Sequence, residues 1–402
     1  MDDAADDLPQ RDRTGMNTSA IRAAAIAAGG LITLAAAMGI GRFVYTPILP
    51  FMVAALGLGG SQAGGIASAN FLGYLAGALL AAWPRLPGSR RGWLLAAIAV
   101  SGLTTGAMGL TAELPLFLLL RFTGGMASAF ALIFASTLVL DRLAQSGRGG
   151  LASVHFAGVG AGVAVSAILV ALLAAGDADW RLLWLASGAI ALAALPFVYR
   201  LVPPAPDGDT APRDSPAAAG SGAGLARLIT AYGLFGFGYV VTATFISAMV
   251  RSLPALQPVE PYVWLIFGLA AVPSVALWAA LGRRIGGARS FALACLIEAA
   301  GVAATVLVVD PAVVVIGTAL LGGTFMGLTA LGFVLARDLA HGDPRRNIGL
   351  MTAAFGLGQM IGPGYAGYAL EITGSLTLPS LTAAAALLAA AVLVTGVGRR
   401  PA

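Results

Sequence analysis

The chain has 402 residues, 58% of them hydrophobic and only 10% charged, and its mean hydropathy is +0.89. That balance lies far outside the range of a soluble globular domain and reads as a membrane protein. The net charge of +5 does not point to nucleic acid, because all 23 basic residues are arginine and most sit in short gaps between apolar runs.

Residues 1–20 hold Asp2, Asp3, Asp6, Asp7 and Asp12 and read as a disordered cytoplasmic tail. The alanine-rich run after Arg22 mimics a signal peptide, but its apolar character continues past Gly41, so it reads as a retained helix. Apolar segments recur at 21–55, 62–83, 92–111, 115–140, 150–175, 180–201, 225–250, 261–281, 290–309, 312–336, 347–371 and 376–397. Each is near or above the roughly 20 residues that span a bilayer, so twelve transmembrane helices are expected in an all-α polytopic fold. With both ends on one side, all but four of the 23 arginines fall on that side, the exceptions being Arg42, Arg121, Arg181 and Arg251. The positive-inside rule then places both termini in the cytoplasm. The gaps on the other side are short and carry Glu113, Asp177, Asp179, Glu260 and Asp310.

Residues 203–224, rich in proline, glycine and serine, read as a cytoplasmic linker between two halves, 21–202 and 225–398, with 399–402 a short tail. Shifting the sequence by about 198 residues superposes several frames, as expected of a duplication. GIGRFVYTPILPFMV at 39–53 returns as GFGYVVTATFISAMV at 236–250, with Tyr239 where Arg42 stood and Thr242 where Tyr45 stood. Arg85, Gly88 and Arg91 fall on Arg283, Gly286 and Arg289, and Gly158 and Gly160 fall on Gly356 and Gly358. Parallel six-helix repeats imply a solute site near the midplane between two pseudo-symmetric bundles.

These features resemble the major facilitator superfamily over 20–400. LGRRIGGAR at 281–289, with Gly282, Arg283, Gly286 and Arg289, is similar to its glycine-plus-basic motif, and the first copy around Arg85, Gly88 and Arg91 is looser. Arg121-Phe122-Thr123-Gly124-Gly125 is similar to its arginine-then-glycine motif in helix four. GIGRFVYTPILPFM with Ser61-Gln62-Ala63-Gly64 and Asn70-Phe71-Leu72-Gly73-Tyr74 resembles the YbfB/YjiJ-type branch of bacterial transporters. Gly349, Gly358, Gly362-Pro363 and Ala366-Gly367 have nearly the spacing that marks drug:proton antiporters in the superfamily, but in helix eleven rather than helix five. They suggest a kinked rocking surface in the second half and carry no evidence of drug export.

Arg42 is the pivotal residue. A guanidinium at membrane depth costs a few kcal/mol, so such residues face a bundle interior or a watery cavity. Tyr45 and Thr46, three and four residues on, share its helical stripe, which suits an anion. The structural alternative is that Arg42 neutralises a helix end or pairs with an acid. Arg121 lies about six residues into helix four, roughly 9 Å deep at 1.5 Å per residue, placed to flank the same cavity; the resemblance links it to proton-coupled transport, and snorkelling is its alternative. Glu298, near mid-helix, is a candidate proton-coupling carboxyl, although the resemblance puts helix nine at the periphery, where it would bond structurally. His155 is a further titratable candidate, with an interfacial histidine as the alternative. Asn70, Tyr74, Tyr239, Thr242 and Gln359 are candidate cavity polars, each with interhelical hydrogen bonding as its alternative.

Cys295 alone permits no intrachain disulfide or Cys-based zinc site, and two distant histidines make a metal site improbable. With no lysine, no Walker loop exists, and no enzyme signature appears, so neither an enzyme nor a cofactor is expected. The expectation is a monomeric secondary transporter in the lipid bilayer. It moves a small organic solute, foremost an organic anion, by alternating access coupled to protons or another ion. Efflux of amphipathic drugs or metabolites is the first alternative, and a non-transporting membrane sensor or scaffold the second.

Overall fold

The computed structural model describes residues 8–83, 86–204, 222–339 and 344–397. These residues form helices and no strand. The first helix, α1, is composite: α-helix Leu8–Leu34, a π-helix Ala35–Ile40, a turn at 41–44 and α-helix Tyr45–Leu56. It is followed by α2 (Gly60–Ala81), α3 (Arg90–Ala107), α4 (Leu114–Gln145), α5 (Ala152–Ala175) and α6 (Trp180–Ala193, continuing as Leu195–Leu201). The second half comprises α7 (Ala223–Ser252), α8 (Glu260–Ile285), α9 (Gly287–Leu307), α10 (Pro311–Asp338), α11 (Pro344–Thr373) and α12 (Thr377–Thr395).

Eleven of the twelve are long and apolar enough to cross a membrane. The twelfth, α11, has the length at 30 residues but is more polar, since it carries Gln359, Tyr365 and a series of glycines. Boundaries follow the hydropathy pattern within a few residues, except that α1 begins at Leu8, inside the stretch expected to be a tail. Pro9 falls in that helix's first turn, where its missing N–H is not needed. Arg85, residues 1–7, most of the expected linker (205–221) and the tail 399–402 lie outside the described residues.

Within the first half α1 packs on α5, α2 on α4, and α3 on α4 and α6. Within the second, α7 packs on α11, α8 on α10, and α9 on α10 and α12. The second set is the first advanced by six helices, as a duplicated bundle requires. The glycine frame confirms it at the backbone: Gly88 and Gly286 both turn with positive φ, +95° and +92°, a conformation open to glycine and strained for other residues. The halves meet along α2–α11 and α5–α8. Large exposed side chains such as Leu172, Leu277 and Val392 cover the outer surface of the bundle, where apolar groups face lipid.

The acids of the short loops start helices. Asp179 accepts from Leu182 N (2.9 Å), Asp310 from Ala312 N (2.9 Å) and Val313 N (3.1 Å), and Glu260 opens α8. Helix N-termini favour such anions.

Candidate functional site

The site is built on the break in α1. Pro47 and Pro50 have no N–H, so carbonyls one turn upstream lose their donors. Thr46 N–H turns to Phe43 O (3.3 Å) instead of Arg42 O, four residues back, and the freed carbonyl needs another partner. Arg121 of α4 supplies it: Nη2 donates to Arg42 O at 2.7 Å and Nη1 to Gly41 O at 3.1 Å. Arg121 is buried, 4% exposed, and its guanidinium holds the unwound turn. The continuous stripe expected from Arg42 through Tyr45 and Thr46 is therefore interrupted, because the prolines unwind the backbone between them.

Arg42 points into the bundle and is 2% exposed. Its Nη2 donates to Gln359 Oε1 of α11 at 2.9 Å, across the two halves. Its guanidinium carbon lies 3.8 Å from the Tyr74 ring centroid and 4.7 Å from that of Phe71, while Nε has no partner. A charged hydrogen bond contributes about 1.5–3 kcal/mol and a desolvated cation–π contact about 2 kcal/mol. Together they offset the few kcal/mol that burying the guanidinium costs. Gln359 in turn donates to the Tyr239 hydroxyl, so Tyr74, Arg42, Gln359 and Tyr239 form one buried chain from α2 to α7.

Arg42, Arg121, Tyr45, Thr46, Phe71 and Thr244 are among the residues lining a cavity of about 20 Å³, space for about one water. Both arginines line this one small cavity. Tyr45 gives its hydroxyl to Ala63 O (2.8 Å) and Thr46 to Ala243 O of α7 (2.8 Å), the second again crossing the halves.

The other candidates are placed apart from Arg42. Asn70 donates to Arg121 O at 2.9 Å, an interhelical bond between α2 and α4, with Oδ1 unpartnered. Thr242 is buried with its hydroxyl unpartnered. His155 is fully buried, with Nε2 3.1 Å from Ser136 Oγ. Glu298 is fully buried in α9, its carboxyl oxygens without hydrogen-bond partners among the described residues. Gly358 abuts α7 at Gly233, and Gly362 abuts Val240. Pro363 O meets α2 at Gly64, so the glycine–proline frame forms part of the seam between halves. Arg91 donates to Tyr199 O and stacks on its ring at 4.4 Å.

Aromatic residues were the part missed from sequence. Phe43, Phe71 and Phe325 pack against the chain around Arg42, yet nothing in a membrane helix separates such rings from lipid-facing ones. Their one signal is adjacency: Phe43 follows Arg42, and Phe71 stands between Asn70 and Tyr74.

On the face opposite the termini the seam is shut. Gly60 abuts Gly367 O, Glu371 accepts from Ser61 N at the start of α2 (3.0 Å), and Ser68 donates to Met360 O (2.7 Å). Arg251 of α7 lies 3.9 Å from the Phe51 ring centroid of α1.

No curated protein matches the chain in sequence. Among solved structures, the nucleoside transporter NupG is 13% identical, with a TM-score of 0.68 over 94% of this chain and 100% of that one. A variant of it is 14% identical, with a TM-score of 0.70 over 92% and 99%. A bacterial homolog of the human lysosomal transporter Spinster, inward-facing and unoccupied, is 14% identical, with a TM-score of 0.64 over 94% and 95%. At such identities the likeness establishes the fold. The profile of the family described as "Uncharacterised MFS-type transporter YbfB" matches residues 34–395, and the chain belongs to that family of major facilitator transporters.

Proposed function

We propose that this transporter moves a small organic anion across the bacterial cytoplasmic membrane by alternating access, with both termini in the cytoplasm and protons as the coupling ion. The observation that carries the anion reading is the state of Arg42. It is buried between the halves, and its hydrogen-bond partner across the seam is a neutral amide oxygen, not a carboxylate. A solute carboxylate that displaces Gln359 gains a charge-assisted bond and at the same time releases one of the bonds that close the seam. Binding is thereby linked to rearrangement, as a population shift requires.

Arg121 sits on the same cavity and supports the turn that presents Arg42. Thr46, Tyr45, Tyr74, Tyr239 and Gln359 complete the polar surround. Proton coupling is assigned to Glu298, a fully buried carboxyl whose oxygens have no hydrogen-bond partner among the described residues. The terminal side is assigned to the cytoplasm because all but four arginines belong to it.

The test is a substrate panel in proteoliposomes, with wild type and Arg42→Gln compared at equal protein level. Anion transport lost in the variant supports the reading. Transport of cations or neutral compounds alone by the wild type overturns it.

A further inference from the structure

Arg42 and Phe43 are consecutive residues of the α1 turn, and each makes a contact with the opposite half that is lost when the halves part. Arg42 holds the Gln359 oxygen at 2.9 Å. Phe43 sets its ring edge on Phe325 of α10, centroids 5.9 Å apart and planes at 88°. Behind Phe325 the rings continue inside the second half: Tyr239 lies 4.6 Å away at 27°, and Phe355 lies 5.9 Å beyond Tyr239 at 10°. The Arg42 guanidinium carbon is 5.5 Å from the Phe43 ring centroid. The protein thus fills its own seam with an oxygen acceptor on a cation and, one residue along, an aromatic ring on an aromatic face.

When the halves separate, both positions are vacated together. A solute that restores both contacts must join a planar ring to a carboxylate with few atoms between them. We infer that the solute of this site is a planar aromatic carboxylate. Its carboxylate takes the place of the Gln359 oxygen on Arg42, and its ring takes the place of Phe43 against Phe325 and Tyr239. This rests on the anion reading above and narrows it. An aliphatic anion of equal size satisfies Arg42 and buries similar area but lacks the ring quadrupole that edge-to-face and offset stacking use.

The test compares benzoate and phenylacetate with cyclohexanecarboxylate, and with benzyl alcohol as the neutral ring, by calorimetric binding to the purified wild-type protein. Ring–ring geometry of this kind is worth about a 2- to 10-fold preference for benzoate over cyclohexanecarboxylate, and Phe325→Leu should bring the affinity for benzoate down to that for cyclohexanecarboxylate. Arg42→Gln should lose all the carboxylates. Equal affinity of the wild type for benzoate and cyclohexanecarboxylate, with both lost in Arg42→Gln, overturns the aromatic inference and leaves the anion reading standing. Binding of benzyl alcohol but of no carboxylate overturns both. The wild-type comparison decides the matter even where Phe325→Leu does not fold.

Discussion

Replacing Gln359 with leucine removes its bond to Arg42 across the seam, together with its bond to Tyr239 inside the second half, which does not bear on closure directly. The side chain keeps its bulk but loses the acceptor of Arg42, whose Nη2 lies 2.9 Å from Oε1 in the closed seam. A hydrogen bond to a charged group is worth about 1.5–3 kcal/mol, and the loss falls on the closed state because Arg42 meets Gln359 only while the halves are together. At about 1.4 kcal/mol per decade, the ratio of parted to closed seam rises about 10- to 150-fold. Thr46–Ala243, Ser68–Met360 and Ser61–Glu371 still hold the halves together, so closure weakens without being abolished. The readout is the modification rate of a cysteine placed at Ala67, a cavity-lining position 2% exposed. The background reaction is small because native Cys295 is fully buried. Gln359→Leu should raise that rate at least 10-fold. A folded variant whose Ala67→Cys site reacts at the parent rate would refute the claim that this bond holds the seam.

Arg121→Met strands the carbonyls of Gly41 and Arg42 and should lower stability by about 3 kcal/mol or more, seen as a depressed Tm, with Arg121→Lys recovering part of the loss. Gly64→Val drives a side chain into Pro363 O, so α2 and α11 cannot close; normal protein level with no transport is expected, and full activity would contradict the seam. Glu298→Gln should abolish accumulation driven by a pH gradient while leaving exchange of solute intact, measured as counterflow in the same vesicles.

The periodicity of apolar segments was enough to place twelve helices, because a bilayer imposes one length on every crossing. The duplication was legible for a similar reason: Gly88 and Gly286 share a backbone conformation that few other residues adopt, so their register survives divergence elsewhere. At the site, sequence singled out Arg42 by the cost of its charge, and Gln359 and Tyr239 as polar groups at depth. It could not pair them, since residues 42 and 359 meet only through the seam between the halves. Nor did it reveal that Arg121 serves the carbonyls of Gly41 and Arg42, a need that arises where the helical ladder of α1 is interrupted just ahead of Pro47. The start of α1 at Leu8 differs from the expected tail: the stretch is acidic and contains proline, yet Pro9 fits a first helical turn.

The sequence by itself determined the architecture and marked Arg42 as a buried cation, because both follow from the free energy of transferring side chains into hydrocarbon, which depends on composition alone. The tertiary structure decided what that cation touches. Helix rotation and the close approach of glycine-lined faces set Arg42 against Gln359 and the Tyr74 and Phe71 rings, and packing across a seam is not encoded in any single segment.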